Sequence, residues 1–268
     1  MPADKVNILD VSIDNLSKRE LLEALEAGGM VVTPNIDHLV KLQSDEEFRR
    51  AYAIATYRVC DSQVLAWLFK LKTNSFKGKI SGSDFFPFYY QHHKDNDDIE
   101  IFLLGAAAGV ALTAQQKINA KVGRDIVVEA HSPSFNFLSD NAESLDIVER
   151  INRSGATVLA IGVGAPKQEK WLLRYGHLLT NVRVMLAIGA TIDFEAGHVQ
   201  RAPSWISELG LEWLYRLMSE PKRLWKRYLI DDMTFFWLIL RRKVTYQIDR
   251  RRIGRRRKRH FSDLFSRR

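Results

Sequence analysis

The stretch Thr157-Val158-Leu159-Ala160-Ile161-Gly162-Val163-Gly164-Ala165-Pro166-Lys167-Gln168-Glu169-Lys170-Trp171 decides the fold class. An apolar, strand-like run hands over after Ile161 to two glycines, which permit a tight turn and a close backbone approach. Pro166 then suits the first turn of a helix. A buried strand passing so quickly into a helix is the repeating unit of an α/β sheet, and that junction is where such sheets hold ligands. A helix N-terminus offers free N–H groups and a positive dipole end, so an anion suits it; Lys167 adds a full charge and Gln168 a neutral donor. These features fit a nucleotide diphosphate site at Gly164 to Gln168. They fit an ordinary turn without ligand equally well.

Outward from this turn, apolar segments alternate with helical patterns. Val6–Val11, Met30–Val32, Tyr57–Cys60, Ile99–Leu104, Asp125–Val128, Thr157–Ile161 and Val182–Ile188 read as strands. Lys18–Ala27, Asp45–Ala55, Val110–Val122 and Asp140–Asn152 carry helical spacing, and Gly28-Gly29 stops the first of them. The alternation predicts an α/β fold with a mostly parallel, doubly wound, Rossmann-like sheet and a helical, basic C-terminal appendage. Residues 1–196 form the expected catalytic domain, 197–240 the appendage and 241–268 a polybasic tail.

Ligands of such sheets sit at the C-terminal ends of the strands, and three of these ends carry polar residues. Thr33-Pro34-Asn35 follows Met30–Val32, with Pro34 fixing the turn while Thr33 and Asn35 offer a hydroxyl and an amide. Asp61 emerges from the apolar Tyr57–Cys60. It is a candidate general base, or else the N-cap of a helix over Ser62–Phe69. Gly189-Ala190-Thr191-Ile192-Asp193-Phe194 follows Val182–Ile188 and places Asp193 to accept hydrogen bonds from a ribose or base.

At 268 residues and 46% hydrophobic content the chain has material for one large α/β domain plus an appendage. Cys60 is the single cysteine, so no internal disulfide forms, and no signal peptide or run of about 20 apolar residues is visible. A cytoplasmic location is expected. The formal charge of +8 is unevenly distributed: from Arg241 to Arg268 eleven arginines and two lysines oppose Asp249 and Asp263, a net +11, which leaves −3 for the body. With Met233–Leu240 before it, this basic segment has the apolar-plus-polybasic pattern of a peripheral membrane anchor on the inner face of the plasma membrane. A core helix followed by a solvated charge run is the alternative.

The motifs taken together resemble the WecG/TagA/CpsF family of bacterial glycosyltransferases. The resemblance runs through Thr33-Pro34-Asn35, Asp61, Lys79-Ile80-Ser81-Gly82-Ser83-Asp84, Gly164-Ala165-Pro166-Lys167-Gln168-Glu169 and Asp193-Phe194-Glu195-Ala196-Gly197. It continues through Arg201-Ala202-Pro203, Gly210–Arg216 and Glu220–Tyr228, covering about residues 5–240. It implies a metal-independent, inverting transfer of a sugar from a UDP-linked donor, of N-acetylmannosamine type, glucose or a uronic acid, to a polyprenyl-diphosphate-linked sugar. On that resemblance Asp61 takes the acceptor proton, with Thr33 and Asn35 positioning the sugar. Lys79, Gly164, Lys167, Gln168 and Asp193 bind the donor, and Arg216, Arg223 and Lys226 of the appendage meet the charge of the leaving UDP. No cofactor and no metal is expected, and a homo-oligomer stays open. Two positions depart from the family pattern: Ser62-Gln63 stands where glycines are usual, and Lys79 where an arginine is usual, which keeps the charge but loses the planar fork.

Two other classes compete. A nucleic-acid-binding protein acting through its basic tail would bind with steep salt dependence, although the resemblance implies no nucleic acid partner. A dinucleotide-dependent oxidoreductase would begin like Gly162-Val163-Gly164, but Lys167 stands where the third glycine belongs.

Overall fold

The computed structural model describes residues 4–73, 75–200, 203, 206, 211–219, 221–226, 232–241 and 245–247. Its centre is a six-stranded sheet built from β3 (Gly29–Val32), β4 (Tyr57–Arg58), β5 (Ile101–Gly105), β6 (Val127–His131), β7 (Val158–Gly162) and β8 (Val184–Ala187). The spatial order is β4-β3-β8-β7-β5-β6, and every neighbouring pair is parallel. The doubly wound parallel sheet expected from the alternating segments is therefore the architecture of this chain.

The central strands are apolar throughout because both faces are covered, as βαβ crossovers require. Their side chains alternate between two cores with a period of two residues. Phe102, Leu104, Leu159 and Ile161 point into one core, whereas Ile101, Leu103, Val158 and Ala160 point into the other. The first core is closed by α2 (Ile36–Lys41), α3 (Glu46–Ile54), α4 (Gln63–Lys72), α7 (Asn141–Ser154) and α8 (Lys167–Tyr175), through residues such as Leu39, Phe48, Leu65, Ile147 and Trp171. The second is closed by α1 (Lys18–Ala24), α5 (Gly82–His92), α6 (Val110–Val122) and α9 (Thr191–Ala196), through Leu21, Phe86, Ile118 and Ile192. Thus the helix after β5 covers one face and the helix after β7 covers the other. Such a reversal between neighbouring strands opens a crevice at their C-terminal ends.

Three elements differ from the sequence reading. Val6–Val11 is a hairpin rather than one strand: β1 (Lys5–Ile8) and β2 (Val11–Asp14) pair antiparallel, with Leu9 and Asp10 at φ 48° and 64° forming the two-residue turn. β6 begins two residues later than expected and runs to His131, because as an edge strand it admits the polar Glu129 and His131. Ser62 caps α4, accepting a hydrogen bond from the Leu65 N–H at 3.3 Å, and Asp61 does not.

The C-terminal segment contributes α10 (Glu212–Ser219), α11 (Pro221–Lys226), α12 (Asp232–Arg241) and β9 (Thr245–Gln247). β9 pairs antiparallel with β1, so this part of the expected tail returns to the N-terminal hairpin. α12 packs on α2 and buries Phe235 completely, with Leu238 and Ile239 against the same core, while Trp237 and Leu240 stay 51% and 87% exposed. The helix read as a membrane anchor is thus a core helix on one side. No helix among the described residues is long and apolar enough to cross a membrane.

Candidate active site

The C-terminal ends of β5, β7 and β8 converge so closely that side chains are excluded. Gly105 and Gly162 are register partners, and a Cβ on Gly105 would lie 2.5 Å from the carbonyl oxygen of Gly162. A Cβ on Gly162 would in turn lie 2.6 Å from the carbonyl oxygen of Gly189. The three strand ends thus meet backbone to backbone. Next to them, a Cβ on Gly82 would lie 2.9 Å from the Cα of Ile188, so the start of α5 abuts the end of β8. Ser81 caps that helix, accepting from the Asp84 N–H at 3.1 Å and donating to its carboxylate at 2.7 Å.

Backbone hydrogen bonds bring the second group of residues together. The N–H of Val59 donates to the carbonyl of Val32, and the N–H of Asp61 donates to the carbonyl of Pro34 at 2.9 Å, so the turns after β3 and β4 run side by side. The N–H of Ile80 donates to the carbonyl of Cys60 at 2.7 Å, which sets Lys79 along the same edge. Thr33, Asn35, Asp61 and Lys79 thereby share one stretch of the sheet's C-terminal rim. Asn35 caps α2 through Oδ1, which accepts from the His38 N–H at 3.1 Å and leaves its amide group as the donor end. Burial pushes the Cys60 thiol up to about 12, with the Ser62 backbone and Lys79 opposing the rise and Asp61 adding to it, which disfavours the thiolate.

The turn after β7 and the turn after β8 are clasped by Gln168. Its Oε1 accepts from the Gly189 N–H at 3.2 Å, and its Nε2 donates to Glu169 Oε1 at 2.8 Å. Gln168 is buried, so its amide serves the turn and does not project from it. Gly164 stands at φ +82°, where a Cβ would meet nothing, so backbone conformation and not space calls for glycine. Pro166, joined to Ala165 by a cis bond, caps α8. Lys167 points to the neighbouring loop: Nζ donates to the Phe135 carbonyl at 2.8 Å and lies 3.5 Å from the centre of that ring, which is 83% exposed. Asp193 lies in the first turn of α9, and its carbonyl accepts from the His198 N–H at 2.9 Å.

Beneath these groups lies a buried polar cluster that the sequence reading did not identify. His38 Nδ1 and the Tyr52 hydroxyl are 2.7 Å apart, Asp37 pairs with Lys41 at 2.8 Å, and Glu169 is 0% exposed. Burial raises the Tyr52 pKa well above its ordinary value, and Glu169, Asp61 and Asp37 raise it further, so all three acids act on this phenol. Burial also raises Glu169 to about 7; Gln168, its own backbone N–H and Lys41 oppose the rise, and Asp37 adds to it. For the burial of Gln168, though not of Glu169, a signal was present in α8: Gln168 occupies the first place of the stripe Gln168, Trp171, Leu172, Tyr175, whose spacing is that of a buried helix face.

Arg216 lies in α10, and Arg223 and Lys226 lie in α11. Their side chains, like most of the tail beyond Arg241, fall outside the described residues. Compared with known families, residues 6–249 match the model of the glycosyl transferase WecG/TagA/CpsF family.

Proposed function

The chain belongs to the WecG/TagA/CpsF family of glycosyltransferases, enzymes of cell-surface polysaccharide synthesis, and from that premise we propose an inverting, metal-independent transfer from a UDP-sugar to a polyprenyl-diphosphate-linked sugar. The acceptor hydroxyl oxygen attacks the anomeric carbon and its proton passes to Asp61. The bond to the diphosphate oxygen breaks on the opposite face, and UDP departs with the bonding electrons. A single carboxylate on the acceptor side suffices, and proton transfer of this kind contributes about 10² to 10⁴ in rate.

The observation that carries this reading is that backbone hydrogen bonds tie Asp61 beside Thr33 and Asn35 at the C-terminal ends of β3 and β4. In the proposal Thr33 and the amide of Asn35 orient the sugar, and Lys79 stands at the donor. The turn from Gly164 to Gln168 receives the diphosphate on the N–H groups of α8, and Asp193 receives the nucleoside. Lys167 reaches the diphosphate by leaving Phe135. Arg216, Arg223 and Lys226 meet the charge of the departing UDP.

The same proposal divides the chain into a catalytic part at 1–196, an appendage at 197–240 that completes the site and touches the membrane, and a polybasic tail at 241–268. The enzyme would then work from the cytoplasmic side on a lipid-held acceptor. Transfer assays with a panel of UDP-sugars, a short polyprenyl-diphosphate-sugar and a chelator test it. One donor turned over in the presence of chelator, and lost in Asp61→Asn, supports the reading; an equally active Asp61→Asn removes Asp61 as base.

A further inference from the structure

We infer that Glu169 is a positioning residue for the transfer reaction, acting as a neutral carboxylic acid through Gln168 to hold the turns after β7 and β8 at a fixed separation. This inference rests on the proposal above that the β7 turn receives the donor.

The chain of contacts is direct. Glu169 Oε1 accepts from Gln168 Nε2 at 2.8 Å, and Gln168 Oε1 accepts from the Gly189 N–H at 3.2 Å. Gln168 therefore presents its two ends to two different groups, and Glu169 is what fixes which end faces Gly189. Without it the amide can rotate, and a flipped amide would turn an N–H toward the N–H of Gly189. The same rim contains Gly162, whose Cα sits so near the Gly189 carbonyl that a Cβ would come within 2.6 Å of it. A small change in the separation of the two turns thus changes the backbone that faces the donor.

Neutrality follows from the surroundings of the second oxygen. Glu169 Oε2 is buried with no hydrogen-bond partner among the described residues, so a negative charge on it would be unsolvated. From α2 it faces the charge of Asp37, and the Lys41 ammonium nearby is already engaged with that Asp37 at 2.8 Å. Tyr52 of α3, hydrogen-bonded to His38 of α2, and Asp61 after β4 belong to the same electrostatic cluster; the Arg58 cation that acts on Tyr52 is engaged by the carbonyls of Ser12, Tyr52 and Ala55. Burial accordingly lifts the carboxyl to about 7. Ionisation would leave Oε1 a good acceptor for Gln168 but place an unsolvated charge at Oε2, which favours conformations that open the paired turns to water.

The experiment is a set of pH profiles from about pH 5.5 to 9 for donor KM and kcat in the full chain and in Glu169→Gln, which copies the shape and neutrality of the acid. UDP binding at pH 6.5 is measured alongside. In the native chain donor KM is expected to rise about tenfold for each pH unit above the Glu169 transition, with kcat less affected. In Glu169→Gln it is expected to stay at its neutral-pH value. An identical alkaline limb in both proteins, with UDP bound, overturns the role of Glu169 and leaves the donor site standing. A folded Glu169→Gln that has lost donor affinity at every pH also overturns it. Failure of the native chain to bind UDP defeats the donor reading and the inference with it.

Discussion

The backbone N–H of Asp61 donates to the carbonyl of Pro34 at 2.9 Å, which locks the turn after β4 to the turn after β3 without using the Asp61 side chain. The neighbouring Ser62 does the capping through its own hydroxyl. On the proposed mechanism the two adjacent residues have separable jobs. Asp61→Asn is expected to lower kcat by about 10² to 10⁴ in a protein that still folds. Ser62→Ala is expected to lose about 1 kcal/mol of stability through the lost cap while retaining most of its turnover at low temperature. Steady-state kinetics and urea unfolding on both variants check the separation; the reverse pattern would return Asp61 to a structural role.

Glycines on the rim divide into those that need space and those that need only a backbone angle. A Cβ at Gly105 meets backbone atoms of Gly162 at 2.5 Å and at a φ of +143°, so Gly105→Ala forces two central strands apart. A loss of about 3 kcal/mol or more is expected. Gly164→Ala meets nothing within 4 Å and is opposed only by its φ of +82°, an effect of about 1 to 2 kcal/mol. Its stronger effect should appear in donor affinity. Urea midpoints of the two variants, measured together, test the ranking.

Much of this layout was readable in the sequence. Val110–Val122 is a helix over the expected residues, and the alternation around Thr157–Ile161 gave the parallel sheet, because burial on both faces demands near-continuous apolar strands. The hairpin at Leu9-Asp10 escaped notice because neither residue is glycine or asparagine and an apolar run hides the turn. Asp61, Thr33 and Asn35 could be picked out as polar strand ends, and the structure brings their turns together. Glu169 could not, since a charged residue in a helix reads as part of a wet face until the packing of α2 and α3 against α8 is known.

Glu169 also sets a pH dependence of stability. Its pKa rises from an ordinary 4.5 to about 7 on folding, so the native state holds the proton more tightly than the unfolded chain. The resulting stability is fully present below about 4.5 and is lost as pH rises toward 7, roughly 3 kcal/mol at about 1.4 kcal/mol per unit. Glu20 behaves oppositely: burial would raise it, but its bonds to Lys77 and Ser17 hold it down to about 2. Its contribution is present above 4.5 and lost as pH falls toward 2, so the two windows do not overlap. Urea unfolding at pH 5 and pH 8 should show a decline in the native chain that Glu169→Gln largely removes. An equal decline in both would assign the effect to other groups.

The two faces of α12 lead to opposite expectations. Phe235 is 0% exposed within the core shared with α2, so Phe235→Ala should destabilise the protein by about 3 to 5 kcal/mol. Leu240, at 87% exposure, holds little of that packing, and Trp237, at 51%, is half exposed. They stand just before a segment with a net charge of +11. If that charge and these two side chains meet an anionic bilayer together, Trp237→Ser with Leu240→Ser should cost about 1 to 2 kcal/mol of stability, well short of Phe235→Ala. The same double variant should weaken binding to phosphatidylglycerol vesicles several-fold. Added salt should weaken both proteins further, because surface charge attraction is screened over about 10 Å at 0.1 M. Vesicle flotation of the native chain, the double variant and a chain ending at Gln247, which keeps β9, separates the two contributions. Equal binding by all three would mean that neither the exposed edge of α12 nor the basic segment carries the protein to the membrane.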